Sequence, residues 1–255
     1  MLNVERQGAI AIWTIDRPES KNALDHMTIG ELSDVVRDAA SDRSIRVAVL
    51  TGGGHTFVSG GDLREMRDRN SPQDAERFSD VGFDLMNAIT ELPFPVIAAL
   101  PGPAIGGGAE LALACDLRVA DMRAKIAFKQ VRMGVTTAWG TVPRLVAVVG
   151  AGIAARLLYT ANEIAASEAK LLGLVDEVTE NGLARTTALA WASDIAEGSP
   201  KAVADMKRLL QEATSSPHAV RSLERQLFVD TWSGPDHREA VEAYFERRQP
   251  RWNDR

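Results

Sequence analysis

Three adjacent glycines, Gly106-Gly107-Gly108, followed by Ala109 and Glu110, are the residues whose types and spacing best suit chemistry. They follow a short apolar run, Val96-Ile97-Ala98-Ala99-Leu100, and a turn built from Pro101, Gly102 and Pro103. The run Leu111-Ala112-Leu113-Ala114-Cys115 comes next and reads as helix. Adjacent glycines are costly inside a helix, so they belong at its start, where backbone N–H groups have no partners. A ligand can approach such bare donors closely, and the helix dipole favours negative charge there. Glu110 follows Gly107 by three residues, which puts it on the same face one turn on. Donors beside one carboxylate suit a reaction that develops an oxyanion and moves a proton. A structural reading also stands, in which the glycines let a helix pack close against a strand. A dinucleotide loop is excluded: from Gly102 the third position is Ala104, and from Gly106 the sixth is Leu111.

A second loop has the same design. Ser59-Gly60-Gly61-Asp62 follows the buried strand Val47-Ala48-Val49-Leu50, and again adjacent glycines meet an acidic residue. Other chemistries find little support. The histidines His26, His55, His218 and His237 are scattered, no Cys/His spacing suggests a ligand set, and no metal is expected. Cys115, the single cysteine, lies in an apolar run and reads as core.

The elements that must position these loops follow from periodicity. Residues 3–6 and 9–15 read as a hairpin around a Gln7-Gly8 turn. Amphipathic helices are expected over 28–40 and 73–92, and strands over 96–100 and 117–120. Residues 126–141 read as irregular, 142–149 and 153–159 as helix, 165–172 as a short helix, and Leu174-Val175 as the last strand. Gly52-Gly53-Gly54 reads as a flexible turn. No strand pattern appears beyond about residue 180; helices are marked by Leu183/Thr187, Val203/Met206/Leu210, Val220/Leu223/Leu227 and Val241/Tyr244/Phe245. The expected organisation is an α/β core over 1–195 and a helical region over 196–255. The apolar stripes of that region need cover, for which a neighbouring subunit is the natural source. A length of 255 residues, with 45% hydrophobic and 25% charged residues, fits an ordinary globular chain. The net charge of −6 gives no reason to expect nucleic acid or an anionic membrane as partner. No apolar stretch is read as long enough to span a membrane, the N-terminus lacks a signal-type apolar segment, and the lone cysteine suits a reducing cytoplasm.

With both loops in hand, the chain closely resembles the crotonase, or enoyl-CoA hydratase/isomerase, family. The matching residues are Arg17-Pro18 with Asn22-Ala23-Leu24, then Phe57-Val58-Ser59-Gly60-Gly61-Asp62-Leu63 and Gly106-Gly107-Gly108-Ala109-Glu110-Leu111 with Cys115-Asp116. Gly134, Trp139-Gly140, Arg144-Leu145, Ala169 and Gly173-Leu174-Val175-Asp176 continue the family's order. The resemblance implies a spiral of ββα units with C-terminal helices that build a homotrimer, often doubled to a hexamer. It implies an acyl-CoA thioester substrate, with coenzyme A carried on the substrate and no separate cofactor. The N–H groups at Gly61 and Gly107 would bind the thioester oxygen; Ala23, Leu24, Ser59, Gly60, Asp62, Leu63 and Gly106 would line the path of the ester.

Glu110 matches the first of the two glutamates used by hydratases, and the flanking pattern favours catalysis over the common alternative, a capping or salt-bridging carboxylate near a helix start. Asp62 reads equally as a helix cap, and Trp139 as acyl-pocket wall or core. Arg17 and Lys21 are candidates for coenzyme A phosphates. The second hydratase glutamate falls on Gln130, which holds water by hydrogen bonds but transfers no proton. The resemblance therefore leaves three functions: hydratase/isomerase chemistry, decarboxylation of a malonyl-type thioester, and silent acyl-CoA binding.

Overall fold

A computed structural model describes residues 1–67, 71–215 and 235–252. The chain opens with a hairpin of β1 (Leu2–Gln7) and β2 (Ile10–Ile15), in which Gln7 faces Ile10, so the turn is Gly8-Ala9, one residue later than expected. Helix α1 (His26–Ser41) begins where the Asp25 carboxylate accepts from Thr28 N at 2.7 Å. Strand β3 (Val47–Gly52) runs into the first glycine loop, followed by the short α2 (Leu63–Met66) and the long α3 (Pro72–Glu91). Ser71 and Asp74 form a reciprocal capping box at the start of α3. Then come β4 (Val96–Leu100), β5 (Ala104–Ile105), α4 (Gly107–Ala114), β6 (Leu117–Asp121) and β7 (Lys125–Ala127). The remainder is α5 (Thr141–Thr160), β8 (Ile164–Ala165), α6 (Ala166–Leu171), β9 (Glu177–Thr179), α7 (Ala184–Ala196), α8 (Pro200–Ser215) and a helix at Pro235–Glu246.

Two sheets organise these elements. The larger has the order β1-β2-β3-β4-β6-β9 and is parallel from β2 onward; the smaller has the order β5-β7-β8. A parallel bridge between Val58 and Ala104 continues the smaller sheet toward the first glycine loop. Successive turns of chain thus lay one strand in the larger sheet and one short extended segment in the smaller, then a helix. This is the expected spiral, and it brings the 58–61 loop beside the start of α4.

Helix α7 packs Ala184, Ala188 and Ala192 onto Ile12, Val49, Ile97 and Val119 of the larger sheet, small side chains that let helix and strands approach closely. Helix α8 is tied to the core by Lys207, whose buried ammonium reaches Asp116 Oδ2 at 2.8 Å and the Phe94 carbonyl at 3.0 Å. A buried ammonium is tolerable only when paired in this way.

Several expectations are corrected. Leu174 and Val175 are not a strand: Gly173 closes α6 at φ 75°, and both following N–H groups turn back to the Ala169 carbonyl. Their apolar character serves a helix cap, and the strand begins at Glu177. Residues 126–141 are not wholly irregular, since they include part of β7 and a 3-10 turn at Gln130–Met133. The two helices expected over 142–159 form one span, broken at Gly150 (φ 75°, ψ 159°). That span is, by length and composition alone, long and apolar enough to cross a membrane, against the expectation that no stretch is; its Leu145, Val149, Ala154 and Leu157 are packed in the core. Gly52 and Gly53 are more than a flexible turn, because a Cβ there would strike the Thr56 and Phe57 carbonyls or the Asp16 carboxylate. The stripe Val220/Leu223/Leu227 lies outside the described residues, and so do the side chains of Val241, Tyr244 and Phe245.

Candidate active site

The two glycine loops meet. Leu24 pairs with Gly61 in a parallel bridge, with Leu24 N donating to Gly60 O at 2.8 Å and Asp62 N to Leu24 O at 2.9 Å. In a parallel bridge these flanking bonds leave the N–H of the middle residue pointing away. Gly106 turns the second loop at φ 54° and ψ −118°, and its carbonyl accepts from both Ala109 N and Glu110 N. That leaves Gly107 as the first helical residue, with no carbonyl behind it. Neither the Gly61 nor the Gly107 N–H has an acceptor among the described residues. Gly61 N lies 3.6 Å from the place a Cβ on Gly107 would occupy.

One turn along α4, Glu110 is 5% exposed and accepts a hydrogen bond from the Thr141 hydroxyl. Burial pushes its carboxyl up to about 7, against the hydrogen bonds of Thr141 and Gln130 and the charge of Arg144, which favour ionisation. Gln130 is thus a neighbour of Glu110. Its amide bonds the carboxylate, while its own Oε1 is buried with no partner among the described residues.

Trp139 is 2% exposed and part of the main core, as one of its two readings expected. Its ring edge comes within 2.6 Å of a Cβ position on Gly107, and its Nε1–H donates to Phe78 O at 3.1 Å. Arg144 holds the Trp139 carbonyl at 2.7 Å and Asn87 Oδ1 at 2.6 Å.

The residues expected along the ester path divide. Ala23 and Leu24 are buried, and Leu24 positions Gly61 through its backbone. Leu63 is 59% exposed. The Ser59 hydroxyl donates to Ser20 O at 3.2 Å. Asp62 caps α2 by accepting from Arg64 N at 3.0 Å, which fulfils the capping reading. Arg17 is held by Asp25 at 2.7 Å and Asp62 at 3.5 Å and donates to the Ala23 carbonyl, so its charge is engaged in bracing the loop. Cys115 is core, and burial pushes its thiol up to about 12.

Sequence reasoning matched Asn22 to the family without giving it a role, and it missed Thr141, Phe78 and Gly82 as contributors. Asn22 is fully buried and ties the 17–22 turn to the 53–56 segment that leads into the first glycine loop, accepting from Arg17 N and donating to the Gly53 and Thr56 carbonyls. Thr141 lies 31 residues from its partner Glu110, a pairing with no local signal. Phe78 and Gly82 of α3 seat the indole; a glycine interrupting an apolar helical stripe was the one available hint.

A family model described as enoyl-CoA hydratase/isomerase matches residues 5–255. The short-chain-enoyl-CoA hydratase of Clostridium acetobutylicum is 34% identical over 248 residues, covering 96% of this chain and 95% of its own. The 2,3-dehydroadipyl-CoA hydratase of Escherichia coli is 32% identical over 255 residues, covering 100% and 99%. The crystal structure of an enoyl-CoA hydratase from Bacillus anthracis superposes with a TM-score of 0.96 at 30% identity, covering 100% of this chain and 99% of that one. The fold is that of the crotonases. The chain belongs to the enoyl-CoA hydratase/isomerase family.

Proposed function

We propose that this enzyme adds water reversibly to a 2-enoyl-CoA thioester, with Gly61 and Gly107 as the oxyanion hole and Glu110 as the one proton-transferring group. The observation that carries the reading is the pair of unsatisfied N–H groups beside a buried carboxyl that titrates near neutrality. A thioester enolate concentrates charge on oxygen, and fixed donors stabilise it more than they stabilise the ground-state carbonyl. Water bonds to the β-carbon after giving its proton to Glu110, and Glu110 returns that proton to the α-carbon. Gln130, through its unpartnered Oε1, accepts one hydrogen bond from the water and orients it. In the same reading, residues 196–255 join three copies of the chain.

The neutral amide at Gln130 favours one second reading. Loss of CO₂ from a malonyl-type thioester generates the enolate without a second base, and protonated Glu110 would quench it. The test is steady-state consumption of crotonyl-CoA by three proteins, with ester binding checked by calorimetry. Glu110→Gln is expected to lose about 10²–10⁴-fold, as for loss of a positioned acid/base. Gln130→Glu supplies the second carboxylate and is expected to raise hydration kcat at least about tenfold. No gain with binding intact would overturn the role given to Gln130. Bicarbonate release from methylmalonyl-CoA without crotonyl-CoA turnover would replace hydration with the second reading.

A further inference from the structure

The site fixes two points of a bound thioester: its oxygen between Gly61 and Gly107, and its α- and β-carbons beside Glu110. Any longer acyl chain has to leave past the residues that face those points. There the 139–141 segment crosses the first turn of α4, with Thr141 on Glu110 and Trp139 on Gly107. Trp139 Cζ3 and Cη2 stand 2.6 and 3.0 Å from the Cβ position of Gly107, so the benzo ring abuts the oxyanion-binding turn itself.

The indole is also fixed. Its Nε1–H is held by Phe78 O, and its ring packs on the Phe78 ring with centroids 5.1 Å apart. Its nitrogen side rests on Gly82, where a Cβ would collide with it. Its carbonyl is clamped by Arg144, which is itself held by Asn87. Swinging this side chain aside would break a partly buried hydrogen bond and open a void in a close-packed core. It is built as a wall, not a gate.

We propose that Trp139 ends the acyl pocket and restricts this enzyme to short acyl thioesters. The inference rests on the acyl-CoA reading above but not on the reaction assigned to it. The test compares crotonyl-CoA with trans-2-decenoyl-CoA by kcat/KM. In parallel, calorimetry compares butyryl-CoA with decanoyl-CoA, which reads pocket length without turnover. A methylene that a pocket rejects is worth about 10–200-fold, so the native protein is expected to favour the short ester at least about 100-fold in both assays. Trp139→Leu removes the benzo ring and is expected to raise the long-to-short ratio at least about tenfold; Trp139→Phe, which keeps an aromatic against Phe78, is expected to raise it less. Should the leucine variant fail to fold by circular dichroism, the phenylalanine variant and the native preference decide. Equal use or binding of both lengths by the native protein, or an unchanged ratio in a folded variant, overturns the proposal. Short-chain binding preference without hydration overturns the assigned reaction and leaves the wall standing.

Discussion

Glu110 combines two roles that pull against each other. Burial makes its charge costly, and Thr141 and Gln130 reduce that cost without removing it, leaving the carboxyl at about 7 rather than its ordinary 4.5. A carboxyl raised in the folded state binds its proton more tightly there than in the unfolded chain. Between those two values the folded protein carries the extra proton, so stability falls as pH rises. A shift from 4.5 to about 7 corresponds to a cost of up to about 3 kcal/mol above neutrality. Glu110→Gln does not titrate, so its urea midpoint relative to the native protein is expected to climb from pH 5 to pH 8. Equal pH dependence of the two proteins would contradict the burial argument. Activity runs the other way: proton acceptance from water needs the ionised form, so hydration kcat/KM is expected to rise with pH through about 7.

Helices α1 and α3 each contain an internal glycine, and their surroundings give the two opposite meanings. Gly30 of α1 has nothing within 4 Å of a would-be Cβ, so Gly30→Ala is expected to stabilise by about 0.5–1 kcal/mol through lower unfolded-chain entropy. Gly82 of α3 lies against the Trp139 indole, and Gly82→Ala is expected to destabilise by about 1–3 kcal/mol through overpacking. Urea unfolding of both variants checks the pair. Stabilisation by both would show that the indole yields, which would also weaken the case for a rigid wall. The contrast makes α3 part of the site's framework, although no residue of it faces Glu110 directly in the contacts described.

Among the described residues, α5 and α8 each leave large apolar side chains exposed. Tyr159 on α5 is 76% exposed, and Met206 and Leu210 on α8 are 58% and 65% exposed. Lys207, between them in sequence, points inward to Asp116, so α8 presents its other face outward. Light scattering of the full chain is expected to report three or six copies. The double variant Met206→Glu with Leu210→Glu is expected to shift that mass toward one copy, because it places charge in a buried contact. A native protein that scatters as one copy at micromolar concentration would sink the assembly reading.

By itself the sequence determined what depends on local pattern. Short apolar runs located β2, β3 and β4, and helical periodicity located α1 and α3; adjacent glycines marked the start of α4; and the ordered motifs announced the crotonase fold. Tertiary structure alone decided the rest. Whether Leu174-Val175 was strand or cap depended on where two N–H groups found an acceptor, and both turned to Ala169. Thr141 and Gly82 became parts of the site only when distant segments closed on α4 and on the indole. Residue type states what a side chain is able to donate, accept or fill; the partner that makes use of it is chosen by packing.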